Sequence, residues 1–281
     1  MREIKASVIK DVVKSLFIDA NVHLCDAECG AIKKAAARET SPLGRQVLDT
    51  ISKNLDAADK MNIPICQDTG MAVVFAEIGQ DVHIVGGSFD NAVNEGVAAA
   101  YTEGFMRTSV VKDPVFCREN TNNNTPAVIY TSIVDGDKIK LTALPKGFGS
   151  ENKSAIKMML PSSSRGDIID FVVETVKKAG ADPCPPIEVG VGIGGTFEYA
   201  AFLSKKALAR GIDGRNTNPD YAALEDELLE KINALGIGPQ GFGGTVTALG
   251  VNVEYFPTHI AGLPVAVNIC CHVMRHKSAV I

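Results

Sequence analysis

Cys66, Gln67, Asp68 and Thr69 place a thiol, an amide, a carboxylate and a hydroxyl in succession. Gly70 and the apolar run Met71–Phe75 follow at once. Such a row is either an ordinary polar turn before a strand or one wall of an active site. Two other places carry thiols in polar or turn-forming company. Cys184 stands in Ala-Asp-Pro-Cys-Pro-Pro, where a plain core thiol is less expected. Cys270-Cys271 opens Cys-Cys-His-Val-Met-Arg-His, the one dense cluster of Cys, His and Arg in the chain. These three places are far apart in sequence, so only folding can assemble them, and their spacing alone is weak grounds for a metal site.

The chemistry open to three such thiolates is nevertheless definite. Iron–sulfur clusters take cysteine thiolates, usually four. A cluster held by three leaves one iron open as a Lewis acid for a hydroxyl or carboxylate oxygen. Removing water from a 2-hydroxy acid needs such an acid, because hydroxide is a poor leaving group. It also needs a base near the acidic C–H and cations for the carboxylates. The seven cysteines are an odd number with no C-x-x-C pair, which disfavours a disulfide framework, a zinc ribbon and a thioredoxin site. Cys25, Cys29 and Cys117 read as plain thiols.

Four glycine-rich segments need an account: Gln-Asp-Thr-Gly itself, KGFGSEN (146–152), VGVGIGGT (189–196) and GIGPQGFGGT (236–245). The third has a strand before it and a helix after it, like a phosphate loop. It fits neither GxxxxGK[ST] nor GxGxxG. Tight strand-to-helix packing is the preferred reading, and a backbone nest for a small anion is a second.

The elements that must position these residues follow from periodicity. The first 60 residues read as three helices, the last opened by Ser41 as N-cap and Pro42 at the first helical position. MAVVFAEIG is a strand and SFDNAVNEGVAAAYTEGFMR a helix. AVIYTSIVDGDKIKLTAL predicts a hairpin turning at Asp135-Gly136-Asp137. In the second half, RGDIIDFVVETVKKAG, TFEYAAFLSKKALA and NPDYAALEDELLEKINALG predict helices. IEVGVGI, TVTALGVNVEYFP and LPVAVNICCHV predict strands. The expected fold is α/β, in the sense of a mixed α+β chain: a helical N-terminal segment, then a mixed sheet with flanking helices. One domain over 1–281 is expected, with two lobes compatible.

The bulk composition excludes some classes. Apolar residues make up 46% and charged residues 22% of 281 residues, ordinary for a globular protein. The net charge of −5 and the absence of a Lys/Arg cluster argue against a nucleic-acid partner. No run of 18 apolar residues is present, so no membrane span is expected, and the amphipathic N-terminus lacks the core of a signal peptide. A cytoplasmic location is the expectation.

ICQDTG, MRTSVVKDP, KGFGSEN, DPCPP with VGVGIGGT, and GIGPQGFGGTVTALGV with PTHIAGLPVAVNICCH occur in that order. Together they resemble the α subunit of the class I, iron–sulfur-dependent fumarate hydratases, a family that includes the α subunit of L-tartrate dehydratase. The resemblance covers almost the whole chain. It implies a [4Fe-4S] cluster with three cysteine ligands, which fall on Cys66, Cys184 and Cys271. The family pattern V-N-x-x-C-H gives the last place to Cys271 rather than Cys270. The resemblance implies that Gln67 and Asp68 face the open iron, with Asp68 doing acid/base work or positioning the base. It assigns Arg107 to a substrate carboxylate, Gly149 to a backbone contact with substrate, and His259 to a hydrogen bond with substrate or to tuning the iron site. Without it, Arg107 reads equally as a surface ion pair and His259 as a satisfied loop histidine. His272 and His276 match no role and read as structural.

Single-chain members of the family carry a second domain with further substrate-binding residues. The resemblance therefore implies an α half that works with a separate β subunit, in an α2β2 assembly, on a small dicarboxylate. The implied reaction is the reversible hydration of fumarate to (S)-malate. Tartrate dehydration is the alternative within the family, and a non-catalytic iron–sulfur subunit is the alternative outside it.

Overall fold

The computed structural model describes the whole chain, Met1–Ile281. In chain order the elements are β1 (Arg2–Lys5), α1 (Ala6–Val22), α2 (Asp26–Arg38), α3 (Pro42–Met61), β2 (Met71–Gly79), β3 (Val82–Val85), α4 (Phe89–Glu103), β4 (Val128–Val134), β5 (Ile139–Lys146), α5 (Phe148–Glu151), β6 (Ala155–Met159), α6 (Arg165–Ala179), β7 (Ile187–Gly194), α7 (Phe197–Leu208), α8 (Pro219–Asn233), β8 (Ala248–Phe256), β9 (Leu263–Cys270) and β10 (Lys277–Val280). The mixed α/β class is as the sequence predicts. The chain divides into two compact units. One comprises Met1–Cys25, Leu55–Phe148 and Arg275–Ile281, and the other Asp26–Asn54 and Gly149–Met274.

The first unit is built on a four-stranded sheet of order β10-β5-β2-β4, beside a two-stranded parallel pair of β1 and β3. β2 lies between β5 and β4 with five of its nine residues buried and the other four half-buried, and its sequence is apolar as far as Glu77 rather than alternating. α1 buries Ile9, Val13, Leu16, Phe17 and Ala20 at helical spacing. Ile9, Val13, Leu16 and Phe17 form one core with Val93, Val97 and Tyr101 of α4 and the inner face of β2 and β5. α4 starts where Ser88 accepts the Asn91 N–H at 3.3 Å through its hydroxyl.

The expected hairpin at Asp135–Asp137 does not form. β4 and β5 do not pair with each other; both pair with β2, which lies between them, β4 parallel to it and β5 antiparallel. The cause is visible at the end of β2. Gly79 N–H donates to Lys138 O and Gln80 N–H to Val134 O, each at 2.8 Å, and Asp81 N–H donates to Gly136 O at 3.0 Å. The loop's acceptors are thus taken by the end of a third strand. A Cβ on Gly79 would lie 2.4 Å from Gly136 O, so the crossing requires glycine there. The short strands β1, β3, β6 and β10 went unpredicted, because runs this short carry too few alternations to stand out.

The second unit has a four-stranded mixed sheet of order β6-β9-β7-β8. β7 is buried along its whole length and runs parallel to β8 and antiparallel to β9. α6 opens on a capping box formed by Ser164 and Asp167. α8 opens on Asn218, which accepts the Asp220 N–H, with Pro219 following. Val172, Val176, Leu224, Leu228 and Ile232 of these two helices pack on the sheet. Neither unit has a helix long and apolar enough to cross a membrane.

The glycines of β7 are explained by packing. A Cβ on Gly190 or Gly192 would meet the carbonyl oxygen of Ser204 or Ala200 of α7 at 2.1 Å. The helix lies against the strand's backbone, leaving no room for a phosphate there. Gly192→Ala is expected to lower stability by about 1–3 kcal/mol, as overpacking does, read as a lower midpoint in urea unfolding. A shift below about 0.5 kcal/mol would contradict this packing.

Candidate active site

In the first unit the Cys66–Gly70 turn is held from several sides. Ile65 N–H donates to Asn21 O at 2.9 Å, at the end of α1. Both Asp68 carboxylate oxygens accept backbone N–H groups: Oδ1 from Gly70 at 3.1 Å and Oδ2 from Phe148 at 2.9 Å. Arg275, only 2% exposed, donates from Nη1 to Asp68 O at 2.6 Å and to Asn21 Oδ1 at 2.9 Å. Tyr101 is buried with its hydroxyl 2.7 Å from Thr69 O and 2.8 Å from Gly70 O. Asn124, fully buried, donates to Gly70 O at 3.0 Å and accepts Ser109 N–H at 2.7 Å. Gly70 has φ 79°, and a Cβ on it would lie 2.8 Å from the Lys146 backbone, so the turn needs glycine.

An open pocket of about 370 Å³ lies on this turn, lined by Ile63, Cys66, Gln67, Phe105 and Arg107 among others. Thr69 Oγ1 donates to Arg107 O at 3.1 Å and so ties the Arg107 segment to the turn. Gln67 and Arg107 are exposed and Cys66 and Asp68 half-buried. The Arg107 guanidinium makes no ion pair in the structure, so the surface ion-pair reading has no partner to rest on. A planar cation with its donors unused beside a thiol and an amide suits a carboxylate.

In the second unit Cys184 and the peptide after Cys271 meet. Cys184 has φ 56° and an exposed side chain. His272 lies on its carbonyl: Nδ1 is 3.0 Å from Cys184 O, and the His272 backbone N–H is 3.4 Å from it. The same Nδ1 also lies 3.3 Å from Gln240 Nε2, so the ring nitrogen sits between a carbonyl and an amide. Gln240 donates to the next carbonyl, Pro185 O, from both its backbone N and its Nε2, each at 2.7 Å. Cys270 is buried in β9, whereas Cys271, just past the strand, is half-exposed.

His259 is exposed on the loop after β8, and its Nδ1 accepts the Ala261 N–H at 3.1 Å. In the neutral ring the proton therefore sits on Nε2, where it is free to be donated. Gly149 is exposed in α5, and a Cβ there would be 4.0 Å from its nearest neighbour, Asp182 O, so its backbone is open to approach.

The structure thus gathers Cys66, Gln67 and Arg107 on one pocket, with Asp68 in the same turn. It joins the Cys184 and Cys271 segments through His272. Cys66 belongs to one unit and Cys184 and Cys271 to the other. No group of three or more His, Cys, Asp and Glu side chains is gathered tightly enough to hold a metal ion as the chain stands. No cysteine is in a disulfide. The residues that sequence reasoning missed are Arg275, Tyr101, Asn124 and Asn21, which shape the turn without lining the pocket. Only Arg275 gave a signal, as part of the Cys/His/Arg cluster at 270–276.

These features define a mixed α/β protein that offers reduced thiols, an amide, a carboxylate and an unpaired guanidinium on glycine-dependent turns. Residues 10–280 match the family described as fumarate hydratase (Fumerase), and the chain belongs to that family. It is 41% identical over 272 residues to the putative L(+)-tartrate dehydratase subunit alpha of Methanocaldococcus jannaschii, covering 94% of each chain. It is 30% identical over 275 residues to the L(+)-tartrate dehydratase subunit alpha of Escherichia coli K12, covering 97% of this chain and 90% of the relative.

Burial pushes the Tyr101 phenol well above its usual value; Arg275 opposes this and the Asp68 charge adds to it. Tyr101 therefore stabilises the fold as the neutral donor. That stability is complete below the unfolded value near 10 and is lost as pH rises toward the folded one. Tyr101→Phe is expected to cost about 1–3 kcal/mol at neutral pH and to flatten the alkaline fall in stability. Urea unfolding across that pH range checks both. Arg275→Met is expected to cost at least as much and to speed hydrogen exchange at the Gly70 amide, read by mass spectrometry.

Proposed function

We propose that this chain is the α subunit of a hydro-lyase that, with a β subunit in an α2β2 assembly, reversibly hydrates fumarate to (S)-malate. The family match across residues 10–280 carries the reading, and the pocket shared by Cys66, Gln67 and Arg107 supports it. The names of the relatives support the division into α and β subunits. Cysteines outside any disulfide suit a cytoplasmic protein.

The cofactor in this reading is a [4Fe-4S] cluster on Cys66, Cys184 and Cys271. The donors fit it chemically: three reduced thiols, each at least partly exposed. Cys271 is preferred to Cys270 because Cys270 is buried in β9. When bound, the cluster supplies a Lewis acid for the oxygen that is lost or gained as water.

The chain's own groups do the rest. Arg107 grips one substrate carboxylate with its guanidinium fork, and Gln67 hydrogen-bonds beside it. Asp68 keeps lone pairs beyond those that accept Gly70 and Phe148 N–H, and with these it takes or positions the proton at the acidic carbon. His259 donates from Nε2 to a substrate oxygen. Gly149 lets the substrate approach the backbone. The β subunit completes the grip on the second carboxylate.

A second reading, dehydration of L-tartrate, is favoured by the names of the relatives. Anaerobic reconstitution with the β subunit, followed by kcat/KM on both substrates, separates the two. A value at least tenfold higher on tartrate would replace fumarate. Cys66→Ser, Cys184→Ser and Cys271→Ser are each expected to abolish the broad visible absorption of the cluster, and Cys270→Ser to leave it. The opposite result for the adjacent pair would move the third ligand. Asp68→Asn is expected to keep the cluster and lower kcat by about 10²-fold or more; unchanged turnover would remove Asp68 from the chemistry.

A further inference from the structure

Phe105 combines two features that folding alone does not reward. It follows α4, where Gly104 N–H donates to Ala100 O at 2.9 Å and Met106 N–H to Tyr101 O at 3.0 Å. The second bond is the wide closure of a Schellman motif, and it places Phe105 in the left-handed position, φ 52°. Glycine fills that position without a clash, whereas a Cβ there crowds the backbone. The neighbouring glycine is not a substitute. A Cβ on Gly104 would meet Ala100 O at 2.6 Å, so glycine is needed at that place for a separate reason.

The Phe105 ring returns nothing to offset its conformation. It is 92% exposed, so it buries little apolar surface, and it makes no ring contact. A strained, exposed aromatic side chain points to a use outside the folded core. Its location says which: Phe105 is the one aromatic residue lining the pocket with Cys66, Gln67 and Arg107.

We propose that Phe105 is an apolar wall of the substrate pocket, packing its ring against the carbon segment of a four-carbon dicarboxylate whose carboxylate is held by Arg107. The inference rests on the dicarboxylate reading above. Such a ligand has polar ends and a short hydrocarbon middle. A pocket that binds both parts needs a cation for an end and an apolar face for the middle, and the exposed Phe105 and Arg107 flank the buried Met106.

Two variants separate this role from helix termination. Phe105→Gly relieves the left-handed strain and is expected to raise the melting temperature of the α chain. In the reconstituted complex it is expected to leave the cluster's visible absorption intact and raise KM by about tenfold, the usual scale for losing an apolar pocket contact. Phe105→Leu is expected to recover most of the KM. An activity-independent readout uses the full α chain alone: alkylation of Cys66 by iodoacetamide, followed by mass spectrometry. Millimolar fumarate is expected to slow it in the wild type and in Phe105→Leu but not in Phe105→Gly.

A higher melting temperature with unchanged KM and unchanged protection would reduce Phe105 to a helix end. Weaker αβ association in gel filtration, with unchanged KM once the complex is saturated, would make it a subunit contact instead. Absence of protection in the wild type would also overturn the wall. Protection that depends on Phe105 in a complex that turns over neither hydroxy acid would sustain the wall and sink the hydro-lyase reading.

Discussion

A buried guanidinium sets the terms for the first unit. Taking an arginine out of water is costly unless its donors find acceptors. Arg275 Nη1 finds them on Asn21, in the last turn of α1, and on the carbonyl of Asp68, while its buried Nε has no partner. The second contact fixes a peptide rather than a side chain, so Arg275 fixes the course of the backbone between Gln67 and Gly70. The Asp68 carboxylate then closes the turn on Gly70 and holds Phe148 at the start of α5. Tyr101 and Asn124 meet the carbonyls on the other side. Side chains from both ends of the chain and from α4 thus converge on a few peptide groups. Asp68 therefore holds the loop with one lone pair on each oxygen, while the exposed side chains of Gln67 and Arg107 make no such structural contact.

The second unit solves a similar problem with the opposite charge. Thr245 and Val246 turn their backbone N–H groups toward one point, a nest that suits an anion. The anion is the protein's own Glu39. Its carboxylate accepts Thr245 N–H, Val246 N–H and Ser41 N–H. Burial pushes this carboxyl up, but those donors and the Thr245 hydroxyl outweigh it and hold it below the usual range. Gly244 has to lack a Cβ, which would sit 2.7 Å from the carboxylate oxygens. This anchors the segment that carries Gln240, and Gln240 in turn binds the carbonyl after Cys184. The chain of contacts Glu39, nest, Gln240, Pro185 runs from a buried anion to the thiol loop without using the thiol itself.

What could be read in the sequence was local. Apolar periodicity gave α1, α4 and α8 and the central strands, because each of those signals is contained in one segment. The pairing of β4 was not legible. Asp135-Gly136-Asp137 satisfies the composition of a tight turn, and only the position of β2 between the flanking strands defeats it. The same limit applies to the site. Gln67, Asp68 and Arg107 were marked by type and by resemblance, since they stand in polar runs. Tyr101 and Asn21 lie within helices whose periodicity already explains them, and nothing in their neighbourhood says that their polar atoms point at a turn tens of residues away. Asn124 was hidden in a run of asparagines that reads as loop.

Backbone conformation supplies the signal that residue type withheld. Non-glycine residues with positive φ are Asn62, Phe105, Arg118, Asn122, Asn124, Cys184 and Gln240. Asparagine tolerates this region because its short amide bonds locally, so Asn62 and Asn122 need no further cause. Phe105, Arg118, Cys184 and Gln240 have no such excuse; Arg118 lies in an exposed turn where its Nη1 donates to Pro114 O, and the other three lie respectively on the Cys66 pocket, at a proposed ligand thiol and against the carbonyl following that thiol. Asn124 joins them by holding Gly70. The cost of each conformation is small, of order 1–3 kcal/mol, but it is borne only where surrounding contacts over-determine the backbone. Arg275 and Tyr101 do this around Gly70, and His272 does it around Cys184. Residues in strained conformation and buried polar groups that fix peptides therefore occur together here for one physical reason: a reactive side chain can be held rigid and exposed only if the strain in its backbone is absorbed by groups behind it.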